Sequence, residues 1–146
     1  YDLISLYAGV DHFKAAAEYH QLGMVAQEQR CFDEATAYYQ KALKIYEAAG
    51  DHYNAAGTLA MLALLSKEQQ NAEATIIHAS KATAVFIQAE DQRKAMGMIN
   101  LLAETLKEQG ISKFQSLWQF ATGEPCPDEF FELVQKVSQA KQSEDS

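Results

Sequence analysis

The side chains able to do chemistry are few and widely spaced. There are four histidines. His12 and His52 occupy the same place, each one residue after an aspartate, which argues for a shared structural role rather than a catalytic one. His20 and His78 have no thiol or carboxylate at ligand spacing, and a metal site needs several convergent ligands. Cys31 and Cys126 have neither metal-motif spacing nor an adjacent base. A nucleophilic thiol would need a lowered pKa, so Cys31 is expected as a small half-buried residue at a helix turn. Cys126, between Pro125 and Pro127, is expected as a loop thiol. No phosphate loop, nucleophile elbow or dinucleotide fingerprint is present. The carboxylates offer no isolated pair for general acid and base work. The expectation is a protein without catalytic residues, metal or cofactor.

Composition narrows the class further. At 146 residues the chain has the length of one domain. Alanine is abundant, glycine and proline are scarce, and β-branched runs are few, which favours helix throughout. The net charge of −8 disfavours nucleic-acid or anionic-membrane binding, since both need clustered Lys and Arg. It leaves a protein or peptide partner open. No apolar run is long enough to span a bilayer and no signal peptide is visible. The unpaired spacing of the two cysteines points to a reducing, cytoplasmic setting. The first residue is not Met and the sequence begins within a pattern, so it reads as a piece of a larger protein.

The elements that carry these residues repeat at a step of 40 residues. Asp11, Asp51 and Asp91 recur in register. So do Ala15, Ala55 and Ala95, then Leu22, Leu62 and Leu102, and the pairs Glu28-Gln29, Glu68-Gln69 and Glu108-Gln109. A fixed period of this size indicates a solenoid of stacked helical units. Residues 1–9 read as the end of a helix closed by Gly9, with Asp11 capping the next. Helices are then expected over His12–Gln29, from the cap Asp33 to Ala49, and over His52–Gln69, Ala72–Ala89 and Gln92–Gln109.

Within this frame, Tyr19-x2-Leu22-Gly23-x2-Ala26 followed by Ala35-x3-Tyr39-x2-Ala42 resembles the tetratricopeptide repeat, whose signature is W-x2-L-G-x2-Y…A-x3-F…P. Ala26 stands where the family has Tyr, and Glu47 where it has the closing Pro. The family unit is usually about 34 residues, so these helix pairs match its longer-repeat branch. The resemblance covers about 100 of the 146 residues. It implies an all-α antiparallel helix-pair solenoid whose first helices line a concave groove, with Tyr19, Leu22 and Ala26 in the core.

The resemblance also implies where a ligand would lie. The inner face falls on Ala17, His20, Met24, Gln27 and Glu28 in the first unit. It falls on Gly57, Ala60, Leu64, Lys67 and Glu68 in the second, and on Gly97, Asn100, Glu104, Lys107 and Glu108 in the third. The groove is expected to centre on Met24 and Leu64, flanked by His20, Asn100, Lys67 and Lys107, and to take a bulky apolar side chain with an acidic group at one end. Glu28, Glu68 and Glu108 are expected as solvated positions. The family's carboxylate clamp for chaperone tails needs Lys and Asn on its first helix; here those positions are His20 and Met24. The expected function is a protein- or peptide-binding scaffold. The alternatives are a regulatory sensor module responding to a short peptide or small effector, and an architectural module able to self-associate as a homo-oligomer.

After Gly110 the repeat fails, because Gly123, Pro125 and Pro127 interrupt the next second helix. Residues 1–110 are thus expected as repeats, with a partial first helix, two full pairs and one further first helix. Residues 111–140 are expected as capping helices, one started by Ser112 and the other burying Phe130, Leu133, Val134 and Val137. Residues 141–146 are expected as a disordered tail. Phe114, Phe120, Phe130, Phe131 and Trp118 make the cap aromatic, and at least one of Phe120 and Phe131 should point outward as a second candidate binding patch.

Overall fold

The computed structural model describes the backbone of residues 3–144 and the side chains of residues 12–140. The described residues form seven helices: α1 (Leu3–Glu28), α2 (Phe32–Ala48), α3 (His52–Glu68), α4 (Ala72–Gln88), α5 (Gln92–Gln109), α6 (Ile111–Thr122) and α7 (Asp128–Glu144). From α2 to α5 every boundary lies within about two residues of its expected place, which is the scatter inherent in helix ends. Two antiparallel pairs, α1 with α2 and α3 with α4, stack in order, and α5 follows as the first helix of a third unit.

One turn design joins these helices. Arg30, Gly50, Gln70 and Glu90 adopt positive φ of 62, 71, 60 and 59°. The next amide then donates back to the carbonyl five residues earlier. Cys31 bonds Ala26 at 2.8 Å, and Asp51 bonds Tyr46, Asn71 bonds Ser66 and Asp91 bonds Phe86 at 2.9 Å each. That bond closes the orphaned carbonyls of a helix end. Asp51, Asn71 and Asp91 then accept from the amides of Asn54, Ala74 and Lys94 at 3.1 Å and start the next helix. The turn therefore recurs every 20 residues, half the period of the side-chain pattern. Cys31 holds the equivalent capping place and makes no side-chain cap bond. Asp33, expected as that cap, lies inside the first turn of α2, where its charge suits the helix dipole instead.

Small residues let the helices approach. Ala16, Ala35, Ala42, Ala56, Ala63, Ala79 and Ala82 are all buried. Gly23 faces the fully buried Tyr39 ring, and a Cβ there would come within 2.6 Å of it. One unit later the same two places hold Ala63 and Ala79, both buried. The volume is redistributed between the facing helices and the fit is kept. At the far end, Phe114, Trp118 and Val134 join Ile99, Leu102 and Leu106 in one core, so α6 and α7 close the stack over α4 and α5.

Several expectations are overturned. No break occurs at Gly9 or Asp11, because α1 is continuous from Leu3; the side chains before His12 lie outside the described residues. Leu22 is exposed although Leu62 and Leu102 are buried, and Ala15 is more open than Ala55 and Ala95. In later units that face is covered by the preceding second helix. Gly110, at φ 84°, caps α6 in place of Ser112. Leu133 is partly exposed while its neighbour Val134 is buried. The backbone of α7 stays helical to Glu144, beyond the expected start of the tail at Lys141. One expectation of this region is met: Phe120 points outward at 76% exposure, while Phe131 packs against Phe114 with ring centroids 6.2 Å apart.

Candidate functional site

A cavity of about 430 Å³ opens where α1, α3 and α5 come together. Gly57, Ala60 and Gly97 form its small wall, Met61 and Met98 its apolar sides, and the Phe86 ring its inner limit. Neither glycine is required by the fold. Both sit inside helices, and a Cβ on either would meet nothing within 4 Å. A helical glycine costs about 1 kcal/mol relative to alanine, so these two positions keep the wall low at the expense of stability.

Two polar groups border the cavity. His20, half-buried and 5.6 Å from the Tyr39 ring, lies 3.1 Å through Nδ1 from Thr58 Oγ1. The Thr58 hydroxyl donates to the Asn54 carbonyl. Its oxygen is thus placed to accept from Nδ1–H, leaving Nε2 as an acceptor. Burial pushes the imidazole below its usual pKa, so it is neutral near pH 7. On the other side, Lys94 Nζ donates to the Tyr53 hydroxyl at 2.9 Å and lies 4.7 Å from that ring's centroid. The Tyr53 hydroxyl donates in turn to Asp91 Oδ2 at 2.6 Å. That bond, with the Lys94 amide, holds the Asp91 carboxyl below its usual range. The chain Lys94–Tyr53–Asp91 ties α3 to α5 and places a cation at the cavity rim.

A second, more polar cavity of about 350 Å³ lies where α3 and α5 end and α4 begins, bordered by Lys67, Asn71, Thr105 and Glu108. Here successive first helices are laced together. Gln27 accepts from the Tyr39 hydroxyl at 2.7 Å and donates to Glu68 at 3.0 Å, and Lys67 is paired with Glu108. Burial, then the charges of Glu68 and Glu28, push the Tyr39 phenol up to about 12, so it remains a donor. Glu68 and Glu108 are therefore engaged between units.

The expected site residues divide accordingly. His20, Gly57, Ala60 and Gly97 line the larger cavity, and Lys67 lines the smaller. Gln27 is held in the inter-unit lacing. Met24 packs against the Ala26–Tyr39–Leu65 core, and Ala17 and Leu64 are exposed beside the groove. Met24, Leu64, Asn100, Glu104 and Lys107 line neither cavity. Sequence reasoning missed Lys94, Met61, Met98 and Phe86. Phe86 is a core residue of a second helix, which the concave-face spacing of the first helices does not include. Lys94 sits in the first turn of α5, outside the helical stripe that the repeat pattern picks out.

Cys31, expected half-buried, is exposed, and Cys126 is half-buried. Both are free thiols, and burial, aided by the Asp128 charge, pushes Cys126 up to about 11. Among the described residues no three His, Cys, Asp or Glu side chains converge as metal ligands, and no helix is long and apolar enough to cross a membrane. Neither the curated proteins nor the solved structures include a match to this chain. The sequence profile of the tetratricopeptide repeat, a family of typically non-catalytic protein-interaction scaffolds, matches residues 13–88. That span covers more than half of the 146 residues and falls on α1 to α4; the chain belongs to the tetratricopeptide repeat family.

Proposed function

We propose that this chain binds a peptide segment of a partner protein in the groove across α1, α3 and α5, and performs no chemistry of its own. The observation that carries this reading is the pair Gly57 and Gly97, two helix-weakening residues that face open space at a cavity and answer no packing need. Their bare backbones let a ligand approach closely, and Met61 and Met98 adapt to an apolar side chain. Lys94 at the rim suits an acidic group on the same ligand; of Lys67 and Lys107, expected in that role, Lys67 is paired with Glu108.

The test is selection of short linear peptides from a display library against the folded chain. Binders should be lost with Gly57→Leu or Gly97→Leu, while circular dichroism stays unchanged. Leu64→Ala should leave them bound. Peptides that bind the leucine variants equally well would place the binding surface elsewhere, with the exposed Phe120 region next to be examined.

A further inference from the structure

A neutral imidazole has one donor nitrogen and one acceptor nitrogen, and the partner of the first fixes the second. At His20 that partner is Thr58. The Thr58 side chain is fully buried, and its hydroxyl donates to the Asn54 carbonyl 3.3 Å away. Only an oxygen lone pair is left for His20 Nδ1, 3.1 Å off, so the ring proton sits on Nδ1. Nε2 is then an acceptor with no partner of its own. Among the described residues, the buried side-chain nitrogen or oxygen that lacks a hydrogen bond is His78 Nδ1. His20 Nε2 is therefore open rather than sealed in the core.

The cavity that His20 borders suits a flat ring. Gly57 and Gly97 offer bare backbone on one side. The thioethers of Met61 and Met98 make favourable contacts with aromatic rings, and Phe86 and Tyr46 supply two ring partners. These groups hold an aromatic body but no hydrogen-bonding tip. Asn54, also on the wall, already donates through Nδ2 to Asp51 at 2.6 Å.

We infer that His20 presents Nε2 to the groove as its specificity determinant, accepting from an aromatic side chain tipped with an N–H or O–H donor, a tryptophan or tyrosine of the bound peptide. This rests on the peptide-binding reading of the groove and adds which side chain the peptide must carry. A phenylalanine fills the same space but leaves Nε2 unpaired where the ring has displaced water. Protonation of His20 has a like effect, because an imidazolium carries a donor at Nε2 and meets the ligand's donor head-on. Binding thus belongs to the neutral ring. Burial lowers the His20 pKa from 6.5. Affinity is complete above that value and is lost as the pH falls through the folded pKa. The ring is faced by Thr58 from α3 and by the Tyr39 phenol from α2, which is pushed up to about 12. Tyr46 from α2, raised by burial, and the Lys94 cation from α5 border the same cavity. His20 is therefore the group there that changes charge as the pH falls below 6.5.

The probes are the peptides recovered by the display selection, resynthesised with paired residues at the aromatic position. One pair is tryptophan and benzothienylalanine, its isostere without the N–H; the other is tyrosine and phenylalanine. Peptides lost with Gly57→Leu should be enriched in tryptophan or tyrosine. Removing the donor should weaken their binding at least about fivefold. Binding followed from about pH 7.5 to about pH 5.5 should weaken below pH 6.5, with circular dichroism showing the fold intact at each pH. His20→Gln, whose amide oxygen accepts without titrating, should keep the donor preference and lose the pH dependence. His20→Phe should lose both. Groove-dependent peptides without an aromatic donor would overturn the inference and leave the groove reading standing. So would a donor preference that survives in His20→Phe, or donor-free analogues that bind as tightly as their parents. If no peptide depends on the groove, both readings fall.

Discussion

The Tyr39 ring lies so close to Gly23 that a Cβ on the glycine would come within 2.6 Å of both Cδ1 and Cε1. The ring is fully buried and its hydroxyl is held by Gln27, so it has nowhere to move. Gly23→Ala should therefore destabilise by about 1–3 kcal/mol, despite the better helix propensity of alanine. Tyr39→Ala should cost about 3–5 kcal/mol through the cavity it leaves. The double variant reproduces the Ala63 and Ala79 pairing of the next unit, so its cost should be smaller than the sum of the two. Chemical denaturation of the three variants checks this double-mutant cycle.

Gly57 and Gly97 should behave oppositely. With open space around both, Gly57→Ala and Gly97→Ala should each stabilise the fold by about 0.5–1 kcal/mol. If the groove is the binding surface, the same changes should weaken peptide binding. Thermal melts and a binding titration on the same samples would show gain in one property and loss in the other.

The missing cap of α2 offers a third prediction. Cys31 occupies the place of Asp51, Asn71 and Asp91 without their capping bond. Cys31→Asp should add about 1 kcal/mol, and Asp51→Ala should remove a similar amount. Denaturation midpoints compared at an unchanged slope report the difference.

His20 and His78 make stability depend on pH. Burial lowers the pKa of both, and for His78 the Lys81 charge lowers it further. His78 Nδ1 is also a buried atom without a hydrogen-bond partner. The unfolded chain therefore takes up these protons first as the pH falls below the ordinary value of 6.5. Their contribution is complete above that value and is lost as the pH drops through the folded pKa values. Unfolding free energy measured from about pH 7.5 to pH 5 should decline, and His20→Gln and His78→Gln should each flatten part of the decline.

The sequence alone determined the helical class, the register of the units and nearly all helix boundaries from Phe32 to Gln109. These follow from local chemistry repeated many times: a capping oxygen, a residue able to adopt positive φ, and apolar residues at helical spacing. It also marked Gly23 correctly, because a glycine beside Leu22 matches a pattern in which two backbones approach. Tertiary structure decided which repeated positions share an environment. Leu22, Leu62 and Leu102 read alike, yet Leu62 and Leu102 are buried against α2 and α4 while Leu22 is 45% exposed. Lys67 reads as a groove residue along its stripe, yet it is turned to Glu108 of the next unit. The larger cavity is lined by Gly57, Gly97 and Lys94 and not by Met24 or Leu64, and its lining includes Phe86 from another helix. Spacing along one helix specifies a direction for each side chain, but only the neighbouring helix determines whether that direction ends in packed protein, in an ion pair or in an open cavity.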